Sequence, residues 1–319
     1  MGRPAIIALT GATGFIGGAV AHRLLREGRE VRALYRPSSR SRPVARGGLS
    51  WIPGSLEDVE ALSRLVAGAD ALVHCAGAVR GAGRGVFDRV NSEGVARITT
   101  RAAMARVPRF LLLSSLAARE PRLSPYAASK RAGETALARA AGAMAWVVLR
   151  PPAVYGPGDR ELRALFRCIG RGVLPMLSGA AARFSLLYVD DLAAAVACWL
   201  REGGGEGRAF ELHDGHPGGY SWADVAHGAQ ALLGRRVRRV PVPAAALKVA
   251  AALNLALAVT GYRPMLTPGK VRELRHPDWV CDNAPFHEAT GWRPEVGLEE
   301  ALRRTFGWGG RPGSGGRDA

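Results

Sequence analysis

The stretch Ala5 to Gly17, AIIALTGATGFIG, constrains this chain more than any other. A short apolar run, Ala5 to Leu9, stops at Thr10-Gly11, glycines fall at 11, 14 and 17, and an apolar helical pattern follows from Ala19 to Leu25. That pattern predicts a strand, a tight turn and a helix. Glycine there permits positive φ in the turn, close approach of backbone to a pyrophosphate, and tight packing of helix on strand. The phosphates would rest at the helix N-terminus, where free N–H groups and the positive end of the dipole meet them. Three glycines are weak evidence in a chain with 41, but their place after a strand and before a helix makes a dinucleotide-binding turn the preferred reading. Gly11, Thr13, Gly14, Phe15, Ile16 and Gly17 are its expected contacts.

A chain of 319 residues suits one large domain or two joined ones, and 48% hydrophobic with 22% charged residues is the balance of a globular protein. The formal charge of +17 first suggests nucleic acid or an anionic membrane. Yet the charge is almost all arginine, with Lys130, Lys248 and Lys270 the only lysines, and it is scattered instead of clustered with aromatics. No nucleic-acid partner is therefore expected, and steering of a phosphorylated cofactor is the milder inference. Cys75, Cys168, Cys198 and Cys281 form no C-x-x-C pair and read as small core residues. His22, His213, His216, His227, His276 and His287 lack metal-ligand spacing, so no metal site is expected. The first strand begins at once, without a signal peptide, and a reducing, cytoplasmic setting is expected.

Strands are predicted at Glu30 to Tyr35, Ser50 to Pro53, Ala71 to His74 and Arg109 to Leu113, alternating with helices, one of them spanning residues 91 to 106. Such alternation means βαβ units and a parallel sheet covered on both faces. Arg36 ends the second strand, where an acidic residue would bind an NAD ribose and an arginine the 2′-phosphate of NADP. With Ser38, Ser39 and Arg40 beside it, it favours NADP(H), with NAD(H) as the alternative. A further helix starts near Ser124-Pro125 and carries Tyr126 and Lys130 on one face. A nearby cation favours the phenolate, so the pair reads as a tunable acid/base. Where arginine fills almost every basic position, lysine at this spacing suggests a required compact ammonium.

These residues resemble an extended short-chain dehydrogenase/reductase of the NAD-dependent epimerase/dehydratase type. The likeness rests on TGATGFIG (10 to 17), HCAG (74 to 77), Asn91, Ser114-Ser115, YAASK (126 to 130), LRPPAVYGPGD (149 to 159) and YVDDLA (188 to 193). It implies an α/β Rossmann fold, a doubly wound parallel sheet with a smaller C-terminal substrate lobe, and commonly a homodimer formed through two helices. Residues 1–150 would bind the dinucleotide, with 184–213 returning to that half, 151–308 would form the lobe, and 309–319 a disordered tail. It implies Tyr126 as acid/base, Lys130 on the nicotinamide ribose and lowering the tyrosine pKa, and Ser115, before Ser114, holding the substrate oxygen. Ser55, Leu56, Ala76, Gly77, Pro151 and Val154 are further cofactor contacts on the same ground.

The departures narrow the chemistry. Ser55 replaces an acidic adenine contact, Leu116-Ala117 replaces the acidic pair of sugar dehydratases, and Ala153 replaces an asparagine common in nucleotide-sugar epimerases. Asp190-Asp191 reads as helix capping. Past Arg150 the expected elements are helices at Arg160 to Ile169 and Leu298 to Thr305, a helix capped at Ser221, strands at Phe184 to Val189 and Phe210 to His213, and a helix at Asp191 to Trp199 returning to the main domain. The apolar run Ala244 to Val259 is read first as the wall of an apolar substrate pocket and second as a helix resting on a membrane surface. The favoured function is an NAD(P)-dependent oxidoreductase moving hydride between nicotinamide and a carbonyl or secondary alcohol of a small, partly apolar substrate. A nucleotide-sugar 4-epimerase with tightly bound NAD and a non-catalytic cofactor-binding or assembly protein are the alternatives.

Overall fold

The computed structural model of the chain describes residues 5–38 and 46–309, so Ser39, Arg40 and all but the first residue of the glycine-rich tail lie outside it. Six strands come first: β1 (Ile6–Thr10), β2 (Glu30–Tyr35), β3 (Leu49–Pro53), β4 (Ala71–His74), β5 (Arg109–Leu113) and β6 (Ala145–Arg150). After β7 (Ala153–Tyr155), β8 (Val173–Met176), β9 (Arg183–Phe184) and β10 (Leu186–Tyr188), β11 (Arg208–Glu211) rejoins the main sheet beside β6. The seven-stranded sheet runs β11-β6-β5-β4-β1-β2-β3, every neighbouring pair parallel. Strand order reverses between β1 and β4, and the C-terminal ends of strands flanking such a reversal leave a crevice.

Both faces are covered, which is why these strands are apolar runs instead of alternating ones. One face carries α1 (Phe15–Arg26) and α7 (Val189–Glu202), packed through Ile7, Leu9, Val20, Leu24, Val196 and Trp199. The other carries α2 (Val59–Val66), α4 (Glu93–Met104) and α5 (Pro125–Ala140), packed on Ala8, Leu34, Leu62, Leu72, Ile98 and Leu137. Ile7 and Leu9 face one way and Ala8 the other, as the two-residue period of a strand requires.

The remaining strands make three parallel pairs: β7 with β10, β8 with β12 (Arg238–Pro241), and β9 with β13 (Asp278–Trp279). Around them lie α6 (Arg163–Gly170), α8 (Trp222–Leu233), α9 (Ala244–Leu257), α10 (Pro268–Arg275), α11 (Ala284–Thr290) and α12 (Leu298–Phe306). Their separate core is built on Tyr155, Phe166, Leu174, Tyr188, Trp222 and Leu302. Ser221 and Asp224 close a capping box at the start of α8.

Three details differ from the sequence reading. The helix expected over 91 to 106 is α4, and an unexpected helix, α3 (Arg84–Asn91), precedes it across Ser92; both touch α5. The strand expected over 184 to 189 divides at Ser185, whose hydroxyl accepts from the Cys281 amide and whose own amide bonds the Trp279 carbonyl. Asp191 does not cap its helix: the residue before α7 is Tyr188, without a side-chain cap, and the buried Asp191 carboxylate instead accepts from the Val296 amide at 2.9 Å. A side chain one turn into a helix is free to reach a distant segment, and this one ties the chain before α12 to α7.

Replacing Asp191 by alanine leaves that amide buried and unpaired, so the unfolding free energy should fall by roughly 1.5–3 kcal/mol in denaturant titrations. Asp190→Ala, at an exposed neighbour, should stay within about 0.5 kcal/mol of the parent.

Candidate active site

The glycine turn sits at the strand reversal because backbone touches backbone there. Gly11 has φ +78°, and a Cβ on it would lie 2.7 Å from the Ala76 nitrogen; a Cβ on Gly17 would lie 2.1 Å from the Gly11 oxygen. Side chains are thus excluded, and α1 begins directly on the turn. Gly14 is its N-cap residue and supplies no side-chain cap, so the first-turn N–H groups face the crevice. A dinucleotide's phosphates fit this cradle by the usual attraction of a helix N-terminus for anions.

A cleft of about 1490 Å³ runs from the turn into the second half of the molecule. Gly11, Thr13, Gly14, Phe15, Ile16, Gly17, Arg36, Gly77, Ser115, Tyr126, Pro151 and Val154 all line it. Arg36 is exposed at the end of β2. Ala76 lies just beneath the turn, its amide donating to the Thr10 hydroxyl. Ser55 and Leu56 are not brought to the cleft: the Ser55 hydroxyl accepts from the Glu57 amide, and Leu56 packs beside Gly94.

Ser124 and Pro125 start α5, with the Ser124 hydroxyl accepting from the Ala127 amide. Tyr126 lies in the first turn, against the edge of Phe87 at 5.9 Å between ring centres. The Ser115 hydroxyl accepts from the Ala117 amide at 3.2 Å, and it stands by the phenol, where it favours the ionised form. Ser114 is engaged elsewhere, its hydroxyl donating at 2.6 Å to Glu134, which also takes both prongs of the Arg150 guanidinium. Both serines line the cleft, and of the two only Ser114 is tied to a buried carboxylate.

Lys130 is on the same helix face but does not meet the phenol. Its buried ammonium donates to the Leu113 carbonyl at 3.1 Å and stands where a Cβ on Gly77 would be only 3.0 Å away. Burial lowers its pKa to about 8. The cation that approaches Tyr126 is Lys270 of α10, 5.7 Å from the ring centre. The expectation of a phenol acidified by Lys130 is therefore corrected. Burial raises the Tyr126 pKa, and the Ser115 hydroxyl and the Lys270 charge oppose that without overcoming it. Near neutral pH the phenol is protonated.

Lys270 is held by Glu273 at 2.8 Å, and Glu273 also accepts from the Ser124 hydroxyl at the cap of α5. This bridge was legible only as a scarcity: Lys270 is one of three lysines, and the argument that singled out Lys130 applies to it equally. Asn91 is a second fixed point. It bonds the Ala78 amide and carbonyl and the Ser129 hydroxyl, pinning the loop after β4 to α5.

The far end of the cleft is walled by Leu165, Phe166, Leu177, Phe184, Leu255 and Leu266. Charges there are largely spent on one another or on backbone. Arg80 forks onto Glu161, Asp159 caps the amides of Glu161 and Leu162, and Arg183 bonds the carbonyls of Gly218 and Gly219. Cys198 and Cys281 are buried as expected, Cys75 packs on the main core at the edge of the cleft, and Cys168 differs from the core residue expected, half-buried in the cleft wall. Burial pushes the Cys75 thiol up to about 12, too weak an acid for a thiolate nucleophile.

The sequence model of the NAD-dependent epimerase/dehydratase family matches residues 7–212. Over 95% of this chain and 94% of the relative, the chain is 39% identical to the ceramide reductase of Caulobacter vibrioides. It is 27% identical to the 2-alkyl-3-oxoalkanoate reductase of Stenotrophomonas maltophilia, over 93% and 97% of the two chains. Among solved structures, MoeE5 in complex with UDP-glucuronic acid and NAD has the same fold, with a TM-score of 0.72 and 21% identity over 95% of this chain and 98% of that one.

Removing the Lys270 charge should raise the Tyr126 pKa further, since a nearby cation favours the phenolate. In Lys270→Met the alkaline limb of the pH–rate profile set by the phenol, above pH 10 in the parent, should move to higher pH by up to about one unit, in steady-state rates followed to about pH 12. An unmoved limb would show that Lys270 exerts no field on the phenol.

Proposed function

We propose that this chain, which belongs to the NAD-dependent epimerase/dehydratase family and is an enzyme of the extended short-chain dehydrogenase/reductase type, reduces a carbonyl on an acyl-chain substrate. The observation that carries this reading is the substrate end of the cleft, walled by aliphatic and aromatic side chains, with Arg80, Asp159 and Arg183 already engaged, next to Tyr126 and Ser115. An acyl chain desolvates at little cost there, and the Arg80 guanidinium is already committed to Glu161. Ala153 lines the cleft without a side-chain donor, which also disfavours a nucleotide sugar. The 39% identical ceramide reductase and the oxoalkanoate reductase support the same substrate class.

The glycine turn and the first turn of α1 would hold the pyrophosphate of a nicotinamide nucleotide, and Gly77, Pro151 and Val154 would line its path toward Tyr126. Bound there, the reduced nucleotide supplies hydride to a carbonyl carbon. The protonated Tyr126 phenol gives its proton to the carbonyl oxygen, and the Ser115 hydroxyl donates a hydrogen bond to the same oxygen. The phenolate left behind is stabilised by Lys270 at the ring and by Ser115. Lys130, anchored on the Leu113 carbonyl, lies beneath Gly77 at the wall of the cleft. Residues 5–150 together with α7 and β11 form the cofactor half on this reading, and the remainder forms the substrate lobe. Arg36, exposed on the cleft at the end of β2, favours NADP(H) through its charge.

Tyr126→Phe should lower kcat by roughly 10²–10⁴-fold while nucleotide affinity, measured by fluorescence titration, changes less than about twofold. Full activity in this variant would remove the phenol from the mechanism. Arg36→Glu should raise the KM for NADPH by about tenfold or more and leave that for NADH unchanged or lower, since one charge-assisted phosphate contact contributes about 1.5–3 kcal/mol. Long-chain ketones and UDP-glucose, assayed side by side, separate reductase from epimerase: the latter would purify with nicotinamide absorbance and turn over the sugar without added cofactor.

A further inference from the structure

We propose that the outward face of α9, with the short turn Ala258–Thr260 that extends it, docks this protein on the surface of an anionic lipid bilayer, with the mouth of the cleft opening beside it. The helix is apolar on all sides, AAALKVAAALNLAL, yet only one stripe is buried: Leu247 and Ala251 pack with Val271, Leu177, Val242 and Leu266. The rest faces solvent, with Val249 60%, Leu253 62%, Leu257 54% and Val259 89% exposed. A helix apolar all round belongs in a core or against a membrane, and this one is not in a core. No helix among the described residues is long and apolar enough to cross a membrane. At about 21 Å, α9 falls short of a bilayer's hydrocarbon thickness of about 30 Å, so the geometry left to it is to lie in the interface.

Charge selects the lipid. Residues 225 to 272 contain no Asp or Glu. Arg235, Arg236, Arg238 and Arg239 are exposed immediately before the helix, Lys248 on it and Arg263 after it. An apolar face framed by unopposed cations matches an anionic headgroup layer. A second copy of this chain seated on the same face would set cations against cations. Nucleic acid would call for aromatic stacking platforms, and the exposed helix side chains are aliphatic. The face is continuous with the site: Asn254 and Leu255 of α9, and Tyr262, Met265 and Leu266 just after it, line the cleft. That a membrane-held acyl chain enters at this mouth rests on the substrate reading above; the docking itself does not.

The test is sedimentation of the full-length protein with vesicles of phosphatidylcholine alone or of phosphatidylcholine with phosphatidylglycerol. The protein should pellet with the anionic vesicles only, and salt should release it. Val249→Ser/Leu253→Ser/Leu257→Ser and, separately, Arg238→Gln/Arg239→Gln should each lower the partition coefficient by roughly tenfold or more. Both should keep the parent melting temperature and NADPH-dependent turnover of a short, water-soluble ketone, because none of these side chains lines the cleft. Absence of binding to anionic vesicles at low salt would overturn the proposal. So would binding insensitive to both variants, or a solution dimer in sedimentation velocity that the triple serine variant dissociates. Vesicle binding without reduction of any carbonyl would leave the docking intact and remove the substrate reading.

Discussion

Backbone contact at the glycine turn is the constraint from which the site follows. The Gly11 and Gly17 positions admit no Cβ, so β1, the start of α1 and the chain after β4 meet with only main-chain atoms between them. This closeness puts the N-terminus of α1 over the strand reversal, where the crevice begins. It also places Gly77 within reach of the Lys130 ammonium on α5, the helix that carries Tyr126. A methyl group at either glycine would force the turn and the helix apart, and overpacking of this kind typically costs about 1–3 kcal/mol.

Polar networks then place the reacting groups with less tolerance than apolar packing alone. Asn91 fixes the loop after β4 to α5, Glu134 gathers Ser114 and Arg150 beneath the sheet edge, and Glu273 joins α10 to the cap of α5. Each is buried and fully engaged, and networks of that kind hold one geometry because breaking any member strands the others. Their joint effect is to tie Ser114 away from Tyr126 and to bring Lys270 from the opposite half of the molecule to the tyrosine ring. The phenol thus answers to groups on both sides of the cleft, and its proton affinity depends on how the halves are apposed.

The lobe shows the opposite economy. Its core of aromatic and branched residues is well filled, yet α9 leaves most of its apolar surface in water. Folding gains nothing from that exposure, so its cause lies in what the helix meets outside the chain. The two sequence readings of this run, pocket wall and membrane helix, are compatible in space. One side of the segment lines the cleft while another faces outward.

Much of the architecture was legible in the residues because it depends on short-range rules. The strands at Glu30–Tyr35, Ala71–His74 and Arg109–Leu113 stand where their apolar runs placed them, Ser124 caps α5, and the glycine spacing located the cradle. Local pattern was silent on partners far apart in the chain. Asp191 looks like a cap and instead holds the Val296 amide, Lys130 looks like the phenol's cation and instead holds a carbonyl, and Lys270 arrives from 144 residues away. The sequence by itself determined the sheet and the turn and singled out the candidate acid/base residues, since periodicity and backbone freedom are properties of neighbouring residues. Only the tertiary structure decided which serine is tied away from the phenol, which ammonium faces it and which side of α9 is left bare, because burial and charge act through space and a linear pattern does not carry distance.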